Sequence, residues 1–212
     1  MPEVECSTFS FPLLLDASST HVHVGIPSAR GWLSLQRSET PALSFLFEGL
    51  RRCLEETRSE IDHLDAIIFC EGPGSTLGLR SALTLAKTLK SQISPTPAFA
   101  VYNALHAAAL LCESPEMPIL ADYRQGQWYL RETSGEIRVI EETEALEIAH
   151  QSQTLRQRKS WRELPGRGAQ VEYDLSRLEG LESLAPILRP IDKLSLFDPR
   201  PATFRKWKAV PR

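Results

Sequence analysis

The chain has 212 residues, 42% of them hydrophobic and 24% charged, proportions of a globular protein rather than a disordered or fibrous one. A formal net charge of -3 gives no global pull toward a polyanion, so nucleic-acid contact has to be local or shared with another subunit. Acidic residues in Met1-Pro2-Glu3-Val4-Glu5 argue against a signal peptide, no run approaches the roughly 18 apolar residues of a spanning helix, and the expected location is cytoplasmic, without membrane attachment.

In chain order, Pro12–Asp16, Thr20–Ile26 and Gly31–Leu35 read as three short strands of an antiparallel meander. His21 and His23 alternate with Val22 and Val24, which puts both imidazoles on one face. Thr40 and Pro41 then give a helix start, Thr40 as cap and Pro41 at the first helical position. Leu43, Leu46, Phe47, Leu50 and Leu54 form the apolar stripe of that helix, and Phe45 and Gly49 fall outside it. Ala66–Cys70 is a continuous apolar run, as in a strand covered on both faces. Thr76–Lys90 reads as a helix apolar most of the way round, Ala98–Val101 as a strand, and Ala104–Cys112 as a helix capped by Asn103.

Ile119–Ala121, Gln127–Arg131 and Ile137–Ile140 repeat the three-strand opening, and Glu141–Gln157 is helix-like. This partial duplication of a β-β-β-α-β-α unit is the organisation of actin-like (ASKHA, ribonuclease H-like) α/β folds, the second lobe being degenerate. The expected lobes are residues 1–104 and 105–212. Four well-separated cysteines, Cys6, Cys53, Cys70 and Cys112, suggest neither a disulfide framework nor a zinc knuckle.

Between the buried strand and the second helix lies Glu71-Gly72-Pro73-Gly74-Ser75. Glycines allow close backbone approach and a helix N-terminus presents free N–H groups, so Gly72, Gly74 and Ser75 are candidate anion or nucleotide contacts. The competing reading is a tight turn with Ser75 as cap. No Lys-Ser/Thr pair follows, which excludes a Walker-type loop. Asp16 precedes Ala17-Ser18-Ser19 and lacks the glycines that would bring amides onto a phosphate. No His-x-x-x-His pair exists; His106 has Leu110 at the fourth position and reads as structural, and His21 with His23 has no third ligand nearby in sequence. Ser75 is not in a G-x-S-x-G elbow. The basic run Arg156, Arg158, Lys159, Arg162 and Arg167 is a solvated face or a local contact for nucleic-acid phosphates.

Leu64-Asp65-Ala66-Ile67-Ile68-Phe69-Cys70-Glu71-Gly72-Pro73-Gly74-Ser75-Thr76-Leu77-Gly78-Leu79-Arg80 resembles the TsaB (YeaZ) family pattern of a buried strand, GPGSFTGLR and a helix. Leu13-Leu14-Leu15-Asp16-Ala17-Ser18-Ser19 resembles the opening strand of that family, and Leu120–Tyr129 resembles its DARMGEVYW hairpin. Pro201-Ala202-Thr203-Phe204-Arg205 is similar to its closing P-x-Y-x-R. Thr76-Leu77-Gly78 replaces the family's FTG, which marks a divergent member.

The resemblance implies a non-catalytic subunit of tRNA N6-threonylcarbamoyladenosine synthesis, without a catalytic residue, metal or cofactor of its own. It would bind the catalytic transferase TsaD as a heterodimer, work beside the ATPase TsaE, form a homodimer in isolation, contact tRNA weakly or indirectly, and meet ATP or ADP only at a shared interface. Docking would use the first two long helices, through Phe45, Gly49 and Arg52 on one and Leu77, Ser81, Thr84, Leu85 and Thr88 on the other. The alternative is an independent actin-like phosphotransferase or nucleotide hydrolase.

Overall fold

The computed structural model describes residues 9–156 and 168–198. Strands β1 (Pro12–Asp16), β2 (Val22–Ser28) and β3 (Gly31–Ser38) form the meander, followed by α1 (Ala42–Thr57), β4 (Ala66–Gly72), α2 (Thr76–Gln92), β5 (Ala98–Asn103) and α3 (Ala104–Leu111). The second half runs β6 (Ile119–Arg124), β7 (Gln127–Arg131), β8 (Ile137–Glu141), α4 (Glu142–Ile148), β9 (Gln153–Leu155), β10 (Gln170–Val171), α5 (Gly180–Leu184) and β11 (Arg189–Pro190).

Two sheets result, in the orders β11-β5-β4-β1-β2-β3 and β10-β9-β6-β7-β8. In each, the lobe's first strand lies centrally, antiparallel to its second and parallel to its fourth. The second sheet thus repeats the topology of the first, which is the duplicated actin-like arrangement. The first sheet also takes its outer strand from far down the chain, because β11 pairs antiparallel with β5.

Strand alternation sorts the apolar side chains onto two faces. Leu13, Leu15, Ile67 and Phe69 face α1 and α2, with Val24, Leu46, Ala82, Leu85 and Leu89 in the same cluster. Leu14, Ile68, Cys70 and Tyr102 point the other way and join α3, Ile119, Ala121, Tyr129, Leu155 and Leu175 in a core common to both lobes. A third cluster, Leu120, Trp128, Leu130, Ile140, Ala145 and Ala149, fixes α4 to its sheet.

The docking of α1 corrects the sequence-derived stripe. Phe45, Leu46, Gly49, Leu50 and Cys53 are buried, whereas Leu43 and Phe47 are 64% and 54% exposed. The helix is turned by about one residue, or roughly 100°. Gly49 is the reason, because a Cβ there would lie 2.9 Å from the Cβ and Cγ2 of Val24, so the helix meets β2 at its smallest residue. Cys53, one turn on, donates Sγ–H to the Val24 carbonyl at 3.4 Å. The start also differs: Pro41 occupies the cap, its carbonyl accepting the N–H groups of Ser44 and Phe45, and Thr40 makes no side-chain cap.

Of the eight residues expected at a partner surface, Phe45, Gly49, Ser81 and Leu85 are therefore buried in the chain itself; Arg52, Leu77, Thr84 and Thr88 are exposed. The expected helix Glu141–Gln157 is helical only as α4, because a 3-10 turn, Ala149–Gln151, and then β9 follow. Arg158, Lys159, Arg162 and Arg167 of the basic run, Cys6 and the Pro201–Arg205 segment lie outside the described residues. Among the described residues no helix is long and apolar enough to cross a membrane.

Leu85 is 2% exposed, and a carboxylate there would be a buried, unpaired charge. Leu85→Asp is expected to abolish cooperative thermal unfolding, and Leu85→Ala to lower stability by about 2–5 kcal/mol, the range for truncating a core leucine. Wild-type melting curves for both would contradict the packing.

Candidate functional site

β1 ends at Asp16, whose side chain is fully buried. A carboxylate removed from water needs donors, and three are supplied. The Ser18 backbone N–H donates to Oδ1 at 2.7 Å. The Tyr102 hydroxyl, from the end of β5, donates to Oδ2 at 2.6 Å, and the Tyr173 hydroxyl, from beyond β10, donates to the same atom at 2.7 Å. Burial, reinforced by the charge of Asp16, pushes both tyrosine hydroxyls well above their ordinary range, so they remain donors at any physiological pH. The Cys70 thiol is raised for the same two reasons.

The glycine-rich turn closes over this group. An added Cβ at Gly74 would lie 2.2 Å from the Ser18 carbonyl oxygen, and one at Gly78 would lie 2.1 Å from that of Ala17. The Ser75 N–H, a candidate anion donor, gives its hydrogen bond to the Ser18 carbonyl at 2.8 Å. Ser75 caps α2 as expected, its Oγ accepting from the Gly78 N–H at 3.3 Å. Gly72 has φ +113°, a backbone shape that favours glycine. Gly74, Ser75 and Gly78 thus pack the strand-to-helix turn onto residues 17 and 18, while Gly72 lies against Leu79.

Beside Asp16 on the neighbouring strand, His23 is fully buried, with Nε2 3.3 Å from Asp174 Oδ1. Arg37 reaches Asp174 Oδ2 at 2.9 Å. Burial pushes the His23 imidazole below its ordinary value against the pull of Asp16 and Asp174, and Arg37 adds to the lowering. Among the described residues its Nδ1 has no hydrogen-bond partner, so a second ring proton would be a buried orphan. Asp174 lies below the usual carboxylate range: burial raises it, but the hydroxyl and N–H of Ser176, Arg37 and His23 outweigh that. The rings of His21 and His23 share a face, 6.4 Å apart, yet His21 is engaged with Glu39 at 2.9 Å. His106 is structural, its Nε2 2.9 Å from the Gly135 carbonyl. Among the described residues no group of three or more His, Cys, Asp and Glu is placed to hold a metal.

Sequence reading found Asp16 and the glycine turn but missed Tyr102, Tyr173, Asp174 and Arg37. Asp16 and Tyr173 are 157 residues apart, so no local pattern connects them.

The second feature is exposed and lies on the helices. β1, β3, β4 and β5 run the same way, so α1, following β3, and α2, following β4, both begin at one edge of the sheet and pack side by side. That edge carries Leu43 and Phe47, and Leu77, which is 74% exposed.

The topology and the buried aspartate closing β1 define an actin-like fold protein. A crystal structure of a Pseudomonas aeruginosa protein described by its similarity to peptidase YeaZ aligns over 84% of this chain and 89% of its own, with 20% identity and a TM-score of 0.55. YeaZ from Pseudomonas aeruginosa aligns over 62% of this chain at 22% identity, TM-score 0.49, the match spanning 64% of that protein. The ROK hexokinase from Thermus thermophilus aligns over 53% of this chain and 42% of its own, with 20% identity and a TM-score of 0.35. No curated protein sequence matches. The family described as TsaD, tRNA N6-adenosine threonylcarbamoyltransferase, matches residues 46–165, more than half of the chain, and the chain belongs to that family.

Removing one hydroxyl leaves Asp16 with a missing donor in a dry site. Tyr102→Phe and Tyr173→Phe should each cost about 1–3 kcal/mol, read from urea midpoints, and the double variant should not simply add. For His23, the unfolded chain binds a proton near pH 6.5 that the folded state refuses, so stability falls as pH drops through about 6.5. The urea midpoint of wild type should fall between about pH 7.5 and pH 5.5, and His23→Gln should lose less over that interval. An equal loss in the variant would remove His23 from the acid sensitivity.

Proposed function

We propose that the chain is a non-catalytic subunit of tRNA N6-threonylcarbamoyladenosine synthesis that docks on a TsaD-family catalytic chain through the head of α1 and α2. The carrying observation is the pairing of an exposed apolar trio, Leu43, Phe47 and Leu77, with an Asp16 carboxylate whose acceptor atoms are used within the chain. Large apolar side chains exposed at the head of a helix pair favour association, because each buried one contributes about 1.5–3 kcal/mol. An actin-like phosphotransferase would need its first-strand aspartate and the amides of the first hairpin and neighbouring turn free for metal and phosphate; here the Ser18 N–H goes to Asp16 and the Ser75 N–H, from the β4–α2 turn, to the Ser18 carbonyl.

Membership of the TsaD family supports a homologous partner, since a chain that shares the fold can offer an equivalent helix pair. In isolation a second copy of the chain is the competing occupant of the same face. The buried Phe45 and Leu85 leave this interface, and Leu43 and Phe47 enter it.

Phe47→Asp with Leu77→Asp should leave the melting temperature near wild type and weaken association by about two to four decades in Kd. Gel filtration with purified TsaD reads this directly. Modification of tRNA reconstituted from TsaD, the ATPase TsaE and supplied threonylcarbamoyl-AMP should fail without the chain and fail with the double variant. Unchanged co-elution of the variant, or full product without the chain, would refute the proposal.

A further inference from the structure

α2 carries Arg80, Lys87 and Lys90 and not one acidic residue over Thr76–Gln92. Lys90 sits over the Phe99 ring at 5.4 Å. Arg80 and Lys87 are exposed, and among the described residues no carboxylate is within ion-pair distance of either. α1 contrasts with this. Its Arg51 is paired with Glu48 at 2.8 Å and with Glu55, and Arg52 with Glu48 at 2.7 Å, so the cations of α1 are neutralised on their own helix.

The uncompensated pair lies on one stripe. Leu77, Arg80, Thr84, Lys87, Thr88 and Ser91 follow the three- and four-residue spacing of a helical seam, and all are exposed. The hydroxyls on it are already spent: Thr84 donates to the Arg80 carbonyl at 2.8 Å, Thr88 to the Thr84 carbonyl at 3.0 Å, and Ser91 to the Thr88 carbonyl at 2.8 Å. Covering this stripe therefore strands no hydroxyl proton, and the small side chains permit close approach. Only Arg80 and Lys87 would be left without acceptors, and a buried unpaired cation is costly. Whatever covers the stripe must bring anions to those two positions.

Resting on the docking reading above, we infer that the partner contributes an acidic helix laid along α2, with carboxylates opposite Arg80 and Lys87. These are seven residues apart, about 10.5 Å along the axis, a span that two carboxylates two turns apart on a facing helix reproduce. A helix rather than a nucleic-acid backbone is favoured because the seam continues into Leu77 and because its hydroxyls have no proton to give a phosphate. Complementary charge at such a rim sets partner choice and encounter rate, while Leu77 supplies salt-independent attraction.

The test is titration calorimetry of purified wild type, R80E/K87E, R80K/K87R and L77D against the TsaD-family protein of the same organism, at about 50 mM and about 500 mM salt, where screening lengths differ about threefold. Circular dichroism verifies folding, with R80Q/K87Q in reserve should the reversal melt. R80E/K87E is expected to raise Kd at least about tenfold at low salt, with most of the difference lost at high salt; R80K/K87R stays near wild type, and L77D is weak at both salts. Low-salt binding of R80E/K87E equal to wild type, with L77D still weak, would overturn the acidic helix and leave the docking reading standing. No wild-type complex at either salt would overturn both. Loss of tRNA retention by an otherwise intact R80E/K87E complex would overturn the inference and assign the cations to nucleic acid.

Discussion

A carboxylate cut off from water is tolerated only when the fold brings donors to it, and at Asp16 the donors come from both lobes. Tyr102 arrives on the last strand of the first lobe and Tyr173 from just beyond the last strand of the second, and both hydroxyls meet on one oxygen. Separating the lobes would take the Tyr173 hydroxyl from that oxygen and leave the carboxylate one donor short. Neighbouring contacts act in the same direction: Asp174 holds His23 and Arg37, the Trp32 indole donates to the Leu178 carbonyl at 2.9 Å, and Gly180 lies so close to the β2–β3 turn that an added Cβ would be 2.3 Å from the Ser28 carbonyl. The residues beyond β10 thus lace the second lobe to the opening meander.

This arrangement also gives the glycine-rich turn its role. In the sequence, Gly72-Pro73-Gly74-Ser75 at a helix start looks like a cradle for an anion, and the physics of helix termini supports that reading. In the fold, the partner of the turn is the chain's own carbonyl edge at Ala17 and Ser18, and glycine is required because nothing larger fits between two backbones. Close backbone approach serves a ligand or a neighbouring strand equally well, and the glycines alone do not say which.

The strands and helices of residues 12–111 were legible because their buried runs are continuous and their turns carry ordinary punctuation: Ser75 and Asn103 both act as the caps the sequence suggested. The face of α1 was not legible. Leu43 and Phe47 are more hydrophobic than Gly49 and Cys53, so a stripe drawn by hydrophobicity turns the helix the wrong way; what decides is the room over Val24, which only the small residues fit. The tyrosine donors were missed for another reason, since a buried polar pair formed across 157 residues leaves no periodicity to detect. β9 was lost because its three residues are too short to show alternation.

We propose that the aspartate closing the first strand is structural in this chain and that its enclosed site takes no nucleotide. Calorimetric titration of the isolated protein with magnesium-ATP tests this most directly. The enclosed Asp16 predicts no binding heat and no phosphate release, whereas binding at a few micromolar accompanied by hydrolysis would contradict it.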